Sequence, residues 1–322
     1  MKEALFIVNS PFQALCATEA IIHYMVEKAH FLLFEDDSTI RKMVLPMVEA
    51  KGIVHFLETK GNLTLSIVRG LTQSEWKEKY DLVFVGDYYS YGPYVAAITK
   101  AKRNARIIYL DDGNSTLSIV PPVSLERGRS QREKAYLKFW DSLAKIKHLQ
   151  KTLFTIFDLN EGCPLPVEKN TFSSLVPDAT LKKNIYIIGT NSDMLLFKDL
   201  SYSEYLRHLA SYIKNRYPEE KVFYCPHRRD SHDYSGLVSD LGWCMFDTKF
   251  SVEIDFVQGK LYPLFIVGFG STALLTLKKI FPDSEVKTIY MDLTSETDNK
   301  GYRSVESYYV DNGIEVIDVR EF

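Results

Sequence analysis

Cysteine is scarce in this chain: there are four, Cys16, Cys163, Cys225 and Cys244, with no C-x-x-C pair among them. That scatter indicates neither a disulfide framework nor a zinc knuckle. Net charge is also nearly absent, since 39 Lys and Arg stand against 42 Asp and Glu to leave −3 over 322 residues. No global basic field exists to recruit nucleic acid. Long apolar runs are missing too: nothing approaches the stretch of about 18 apolar residues that spans a membrane. The run Ala4–Val8 stops at Asn9-Ser10-Pro11, too short for a leader core, and reads as a first β-strand. These absences predict a reduced, cytoplasmic protein with no nucleic-acid partner.

What is present is aromatic surface and a regular alternation. Aromatic residues make up 13%, with 20 Tyr and 19 Phe, which suits a protein that handles sugars or other flat-faced ligands. Strand-like runs at Leu5–Asn9, His30–Glu35, Ile53–Leu57, Leu82–Gly86 and Arg106–Leu110 are separated by helical patterns at Phe12–Lys28, Thr39–Ala50, Thr64–Lys79 and Tyr94–Arg103. The design repeats with strands at Ile185–Gly189, Val222–Pro226, Trp243–Phe246, Leu264–Gly268 and Thr288–Leu293, and helices near Tyr202–Arg216, Val252–Gln258 and Ser271–Ile280. Strands alternating with helices imply parallel, doubly wound sheets. Gly162, Pro164, Pro166 and Pro177 mark a linker. The expected organisation is therefore a domain over 1–160, a linker over 161–183 and a second domain over 184–322. The stretch Ile314–Val319 near the end reads more as strand than helix.

In open parallel sheets ligands bind beyond the carboxyl ends of the strands, so the residues just after each strand are the candidates. In Asn9-Ser10-Pro11-Phe12-Gln13, Ser10 and Pro11 suit a helix start, leaving Asn9 and Gln13 to face a ligand. Asp87, in Gly86-Asp87-Tyr88-Tyr89-Ser90, suits either a turn or hydroxyl recognition. Asp111-Asp112-Gly113-Asn114 is a turn, a metal site or the seat of a general base, which needs only one carboxylate in reach of a hydroxyl. His227 at a strand end, followed by Arg228 and Arg229, suits a phosphate or a leaving group. Gly268-Phe269-Gly270-Ser271-Thr272 opens a helix. It is not a dinucleotide fingerprint, because Ala273 stands where the third glycine belongs. A mononucleotide phosphate fits its free N–H groups and hydroxyls better.

With acid-acid-glycine at Asp111-Asp112-Gly113, histidine at His227 and a hydroxyl pair at Ser271-Thr272 in that order, the sequence resembles the bacterial sialyltransferases. The strand ending in Ser10-Pro11-Phe12-Gln13 and the length resemble glycosyltransferase family 52, the lipooligosaccharide sialyltransferases. The resemblance implies a GT-B-like α/β fold, two Rossmann-like domains facing each other across a cleft. It implies Asp112 as general base and His227 as the group that assists phosphate departure. Ser271, Thr272 and Gly270 would hold the phosphate of CMP-sialic acid, and Glu253 the ribose. Where the family places proline after the histidine, Arg228 stands here, and it would supply charge to the donor. Acceptor binding would fall to Asn9, Gln13, Asp87 and Asn114.

On this reading the chain transfers sialic acid with inversion to a galactoside-type hydroxyl of a surface glycan, lipid-linked or free. It needs no cofactor beyond the CMP-sugar and no metal, since the acids lack D-x-D spacing. The competing readings are another nucleotide sugar (CMP-Kdo or a hexose donor), a metal-dependent transferase, and a non-catalytic sugar- or nucleotide-binding module. A basic, aromatic segment over 127–151 reads either as a solvated helix or as a surface that holds the protein at anionic lipid of the inner membrane or at an anionic glycan.

Overall fold

The computed structural model describes residues 2–34, 40–57, 67, 70–71, 76, 78–87, 90–118, 131–159, 163–176, 182–194 and 197–322. The helix expected over Thr64–Lys79, Tyr88-Tyr89, and 127–130 of the basic segment lie mainly or wholly outside the described residues. The chain divides into two compact units, Met1–Ser174 and Leu175–Phe322.

In the first unit the chain runs β1 (Glu3–Ile7), α1 (Pro11–His23), β2 (Lys28–Phe34), α2 (Leu45–Glu49), β3 (Gly52–Leu57), β4 (Tyr80–Val85), α3 (Tyr91–Lys100), β5 (Ala101–Leu110), α4 (Ser115–Ser118), α5 (Gln131–Ile146), β6 (Gln150–Thr155) and β7 (Val167–Lys169). The seven strands form one sheet in the order β3-β2-β1-β4-β5-β6-β7, every pair parallel. Strands buried on both faces are apolar at nearly every position, which is why their sequences read as continuous runs. Phe6 registers with Phe31 on one side and Phe84 on the other. Their rings stack at 5.2 and 4.4 Å as a ladder across the centre of one face. On the opposite face Leu5, Ile7, Val83 and Val85 pack with Tyr94, Val95 and Ile98 of α3.

The expected five strands are seven. Gln150–Thr155 is a strand rather than the tail of a basic helix, and α5 ends at Ile146. Val167–Lys169, inside the expected linker, pairs with Leu153–Thr155 of β6, and the division between units falls after Ser174.

The second unit repeats the plan: β8 (Lys182–Ile188), α6 (Tyr202–Arg216), β9 (Lys221–Cys225), α7 (Ser235–Asp240), β10 (Cys244–Met245), α8 (Val252–Gln258), β11 (Pro263–Gly268), α9 (Thr272–Ile280), β12 (Glu285–Ile289), α10 (Glu296–Asp311) and β13 (Glu315–Ile317). Its parallel sheet has the order β10-β9-β8-β11-β12-β13. Ile185, Ile187, Phe265 and Val267 pack with Tyr205, Leu206 and Leu209 of α6. That helix starts with a capping box, Ser201 and Glu204 exchanging side-chain and backbone hydrogen bonds. The strand expected over Thr288–Leu293 ends at Ile289, and helix α10 intervenes before the terminal strand.

In both sheets the winding reverses once, between β1 and β4 and between β8 and β11. A crevice at such a reversal is where open α/β sheets take ligands. All four cysteines are free. Among the described residues no helix is long and apolar enough to cross a membrane.

Candidate active site

Each unit carries a polar group of residues at its reversal point, built from the loops that leave the strands. In the first unit, Val85 pairs with Tyr109, and Gly86 N–H donates to Ile7 O at 2.9 Å. The segments beginning at Val8, Gly86 and Asp111 therefore leave the sheet together.

Adjacent side chains at a strand end point to opposite sides, and the two acids divide on that rule. Asp111 is fully buried. Its carboxyl accepts from the Thr155 hydroxyl and, at 2.7 Å, from Ile156 N–H. Burial pushes it up to about 7. Asp112 is half-buried and accepts at 2.7 Å from Gln13 Nε2, while its own N–H donates to Thr116 Oγ1 at 3.3 Å. The turn that follows needs Gly113, whose φ of 69° lies where a side chain is strained.

Gln13, expected to face an acceptor, is instead 3% exposed. Asn9 N–H donates to its Oε1 at 2.8 Å, which settles the amide orientation and leaves Nε2 for Asp112. Room for this amide comes from Gly86, where a Cβ would lie 2.7 Å from Gln13 Cγ and Cδ. Ser10 Oγ caps α1 by accepting from Gln13 N–H at 3.2 Å. Asn9 is likewise engaged by the protein, its Oδ1 accepting from Phe34 N–H at 3.3 Å. Asp87 Oδ1 accepts from Ser90 N–H at 3.0 Å, closing the turn into α3. Asn114 is half-buried and its carbonyl accepts from Leu117 N–H at 3.0 Å.

In the second unit, Gly189 N–H donates to Cys225 O at 2.8 Å, so the chains leaving β8 and β9 run side by side. His227 is half-buried and its Nδ1 accepts from Arg229 N–H at 3.2 Å. The proton of the neutral ring therefore sits on Nε2. Burial, then the charges of Arg228 and Arg229, lower its pKa, so the imidazole is a neutral Nε2–H donor near pH 7. Arg228 is exposed.

Beyond β11, Gly270 has φ 61° and donates N–H to Thr288 Oγ1 at 3.1 Å. A Cβ there would lie 2.4 Å from the Tyr302 ring. Ser271 caps α9, its Oγ accepting from Ala273 N–H at 3.3 Å, and its carbonyl accepts from Tyr309 OH at 2.8 Å. Thr272 begins the helix, half-buried. Glu253 lies in the first turn of α8, 4% exposed. Burial holds its pKa up against hydrogen bonds from its own N–H and the Ser251 hydroxyl.

Sequence reasoning missed Asn191, whose Oδ1 is enclosed with no hydrogen-bond partner just beyond β8. A buried carbonyl without a donor costs about 1–3 kcal/mol, and nothing local in the sequence distinguishes it from a loop asparagine. Among the described residues, Asp193, Asp230 and His232 form one group with metal-ligand chemistry. Its members bind each other and Ser192: His232 Nδ1 lies 3.0 Å from Asp193, and Ser192 Oγ donates to Asp230 at 3.0 Å. That network ties two loops together.

No protein-family model and no curated protein matches the chain. Solved structures do. An α/β-galactoside α-2,3-sialyltransferase from the luminous marine bacterium Photobacterium phosphoreum aligns over 100% of both chains at 14% identity, with TM-score 0.57. A 2,6-sialyltransferase from Photobacterium sp. JT-ISH-224, solved with CMP and lactose, covers 98% of this chain and 78% of its own, at 11% identity and TM-score 0.51. MurG from Acinetobacter baumannii covers 100% and 87% at 12% identity and TM-score 0.50. At such identities the likeness establishes architecture: the chain has the two-unit GT-B fold of glycosyltransferases.

Proposed function

We propose that this protein is an inverting glycosyltransferase that moves sialic acid from CMP-sialic acid to a hydroxyl of a galactoside-type glycan. The observation that carries the reading is the divided acid pair: Asp111 is locked into the fold, and Asp112 is held at the strand end by a buried glutamine. A carboxylate held in one place beyond a strand end is what a general base requires. The likeness to sialyltransferases, one of them holding CMP and lactose, supports this choice of donor and acceptor.

In the reaction the acceptor O–H gives its proton to Asp112 as its oxygen bonds to the anomeric carbon. The bond from that carbon to the phosphate oxygen breaks, and CMP leaves with the electron pair. His227 donates its Nε2–H to the departing phosphate. The N-terminal turn of α9, with the Ser271 and Thr272 hydroxyls, binds the same phosphate. Gly270 lets the backbone approach it, Arg228 adds charge, and Glu253 accepts from ribose hydroxyls. A monophosphate carries less charge than a diphosphate, so these donors neutralise it without a divalent ion. Attack opposite the leaving group inverts the anomeric carbon. Asn9, Asp87 and Asn114 line the acceptor side, with Gln13 behind them as the residue that positions Asp112.

The test offers CMP-sialic acid, CMP-Kdo and UDP-hexoses with a labelled galactoside, with and without EDTA. Transfer from CMP-sialic acid alone, undiminished by EDTA, is expected. Asp112→Asn removes at least about 10³-fold of the rate while CMP still binds, and His227→Ala lowers kcat. Transfer only from another donor, or full activity of Asp112→Asn, overturns the reading.

A further inference from the structure

The basic segment read from the sequence divides in the structure into lysines with internal partners and lysines facing solvent. Lys147 Nζ donates to Ile98 O at 2.6 Å and to Ala101 O at 2.7 Å. Lys151 Nζ donates to Tyr94 OH at 3.2 Å and lies 3.6 Å from Asp141. These two fasten α5 and β6 to α3 and β5. Lys134, Lys138 and Lys145 lie along α5. Among the described residues their ammonium groups enter no salt bridge or hydrogen bond.

Helix α5 buries Leu137, Trp140 and Ala144 on its inner side. Its outer side is not the polar surface such a helix ordinarily shows: Phe139 is 60% exposed, Ile146 68% and Tyr136 42%. At 100° per residue, Phe139 and Ile146 are seven apart and stand on one line, with Ala135 beside them. Lys138 and Lys145 are also seven apart and form a parallel line along one flank, extended by Lys134. The result is an apolar ridge flanked by three lysines, with Asp141, which faces Lys151 at 3.6 Å, on the same flank.

We propose that this face of α5 docks on an anionic phospholipid bilayer, with Phe139 and Ile146 entering the headgroup boundary and Lys134, Lys138 and Lys145 engaging phosphates. The claim is independent of the transferase reading. The charge complementarity favours lipid: surface lysines beside exposed aromatic and aliphatic groups are the pattern of interfacial helices. Protein interfaces are depleted in lysine. The overall charge of −3 leaves no general polyanion attraction, so the attraction is local to this helix. With two inserted side chains and three lysines, binding is reversible and falls with salt.

The experiment is flotation of the full chain with vesicles of phosphatidylglycerol and phosphatidylethanolamine, and separately with phosphatidylcholine vesicles. Partitioning at least tenfold higher to the anionic vesicles is expected, with release at 0.5 M NaCl. Phe139→Ser with Ile146→Ser, and separately Lys138→Glu with Lys145→Glu, each lower it at least tenfold, leaving circular dichroism and melting temperature unchanged. Wild-type protein that ignores anionic vesicles, or either double variant binding as well as wild type, overturns the proposal. So does a dimer in light scattering that Phe139→Ser dissolves, which assigns the face to a second copy. Retention on a soluble anionic polysaccharide that Phe139→Ser leaves intact also overturns it, since the lysines then serve a glycan.

Discussion

Replacing Gln13 separates positioning from chemistry. The side chain donates to Asp112 at 2.7 Å and accepts from Asn9 N–H at 2.8 Å, and it is 3% exposed. Gln13→Leu removes both contacts while nearly conserving volume. Loss of a hydrogen bond to a charged group costs about 1.5–3 kcal/mol, which corresponds to about 10- to 100-fold in rate where the bond fixes a reacting group. The unpaired Asn9 N–H adds about 1–3 kcal/mol to the loss of stability. Gln13→Glu keeps an acceptor for Asn9 N–H but sets a second carboxyl oxygen against Asp112, so it impairs turnover with a smaller loss of stability. The assay is initial-rate kinetics with CMP-sialic acid, alongside CMP affinity by calorimetry and thermal melting. Both variants are expected to lose kcat about 10- to 100-fold with CMP affinity unchanged. A folded Gln13→Leu variant with wild-type kcat refutes the argument that this amide holds the base.

Two further variants test the frame of the site. Gly270→Ala forces a Cβ at φ 61° to within 2.4 Å of the Tyr302 ring, whose hydroxyl is tied to Ile289 O at 2.6 Å. A destabilisation of about 2–4 kcal/mol is expected together with weaker CMP binding, and an unchanged melting temperature contradicts the geometry. Asp111 has its pKa raised from 3.8 to about 7, so between those values the unfolded chain releases a proton that the folded chain keeps. Its contribution to stability is thus fully present below about pH 4 and is lost as pH rises to about 7, on the order of 4 kcal/mol. Asp111→Asn, neutral throughout, flattens that fall in melting curves taken from pH 4 to 7, and parallel curves for the two proteins refute the assignment.

The doubly wound plan was legible because strands such as Leu5–Val8 and Phe265–Gly268 are apolar almost throughout, as two-sided burial requires. Tyr202–Arg216 and Val252–Gln258 emerge with the bounds read from the sequence, since a serine caps each. Strand β6 escaped notice because it begins Gln150-Lys151-Thr152 and follows a basic helix, so local polarity masked its pairing with β5. Helix α10 escaped because Gly301 and a polar first half hide its periodicity. At the site, position in the loops was readable and partnership was not. Gln13 and Asp112 are 99 residues apart, and only the sheet order brings them together. Asn191 carries no local signal at all.

On the proposed function, the neighbouring acids at the end of β5 illustrate how a fold holds a general base in place. A side chain that must exchange protons with a visiting molecule needs an open oxygen, and openness ordinarily brings mobility. Here the backbone of Asp112 is anchored across one peptide bond by a residue whose carboxyl never meets solvent. Any change that loosens the hidden member is therefore felt as imprecision in the visible one, even with every atom that touches a ligand left in place.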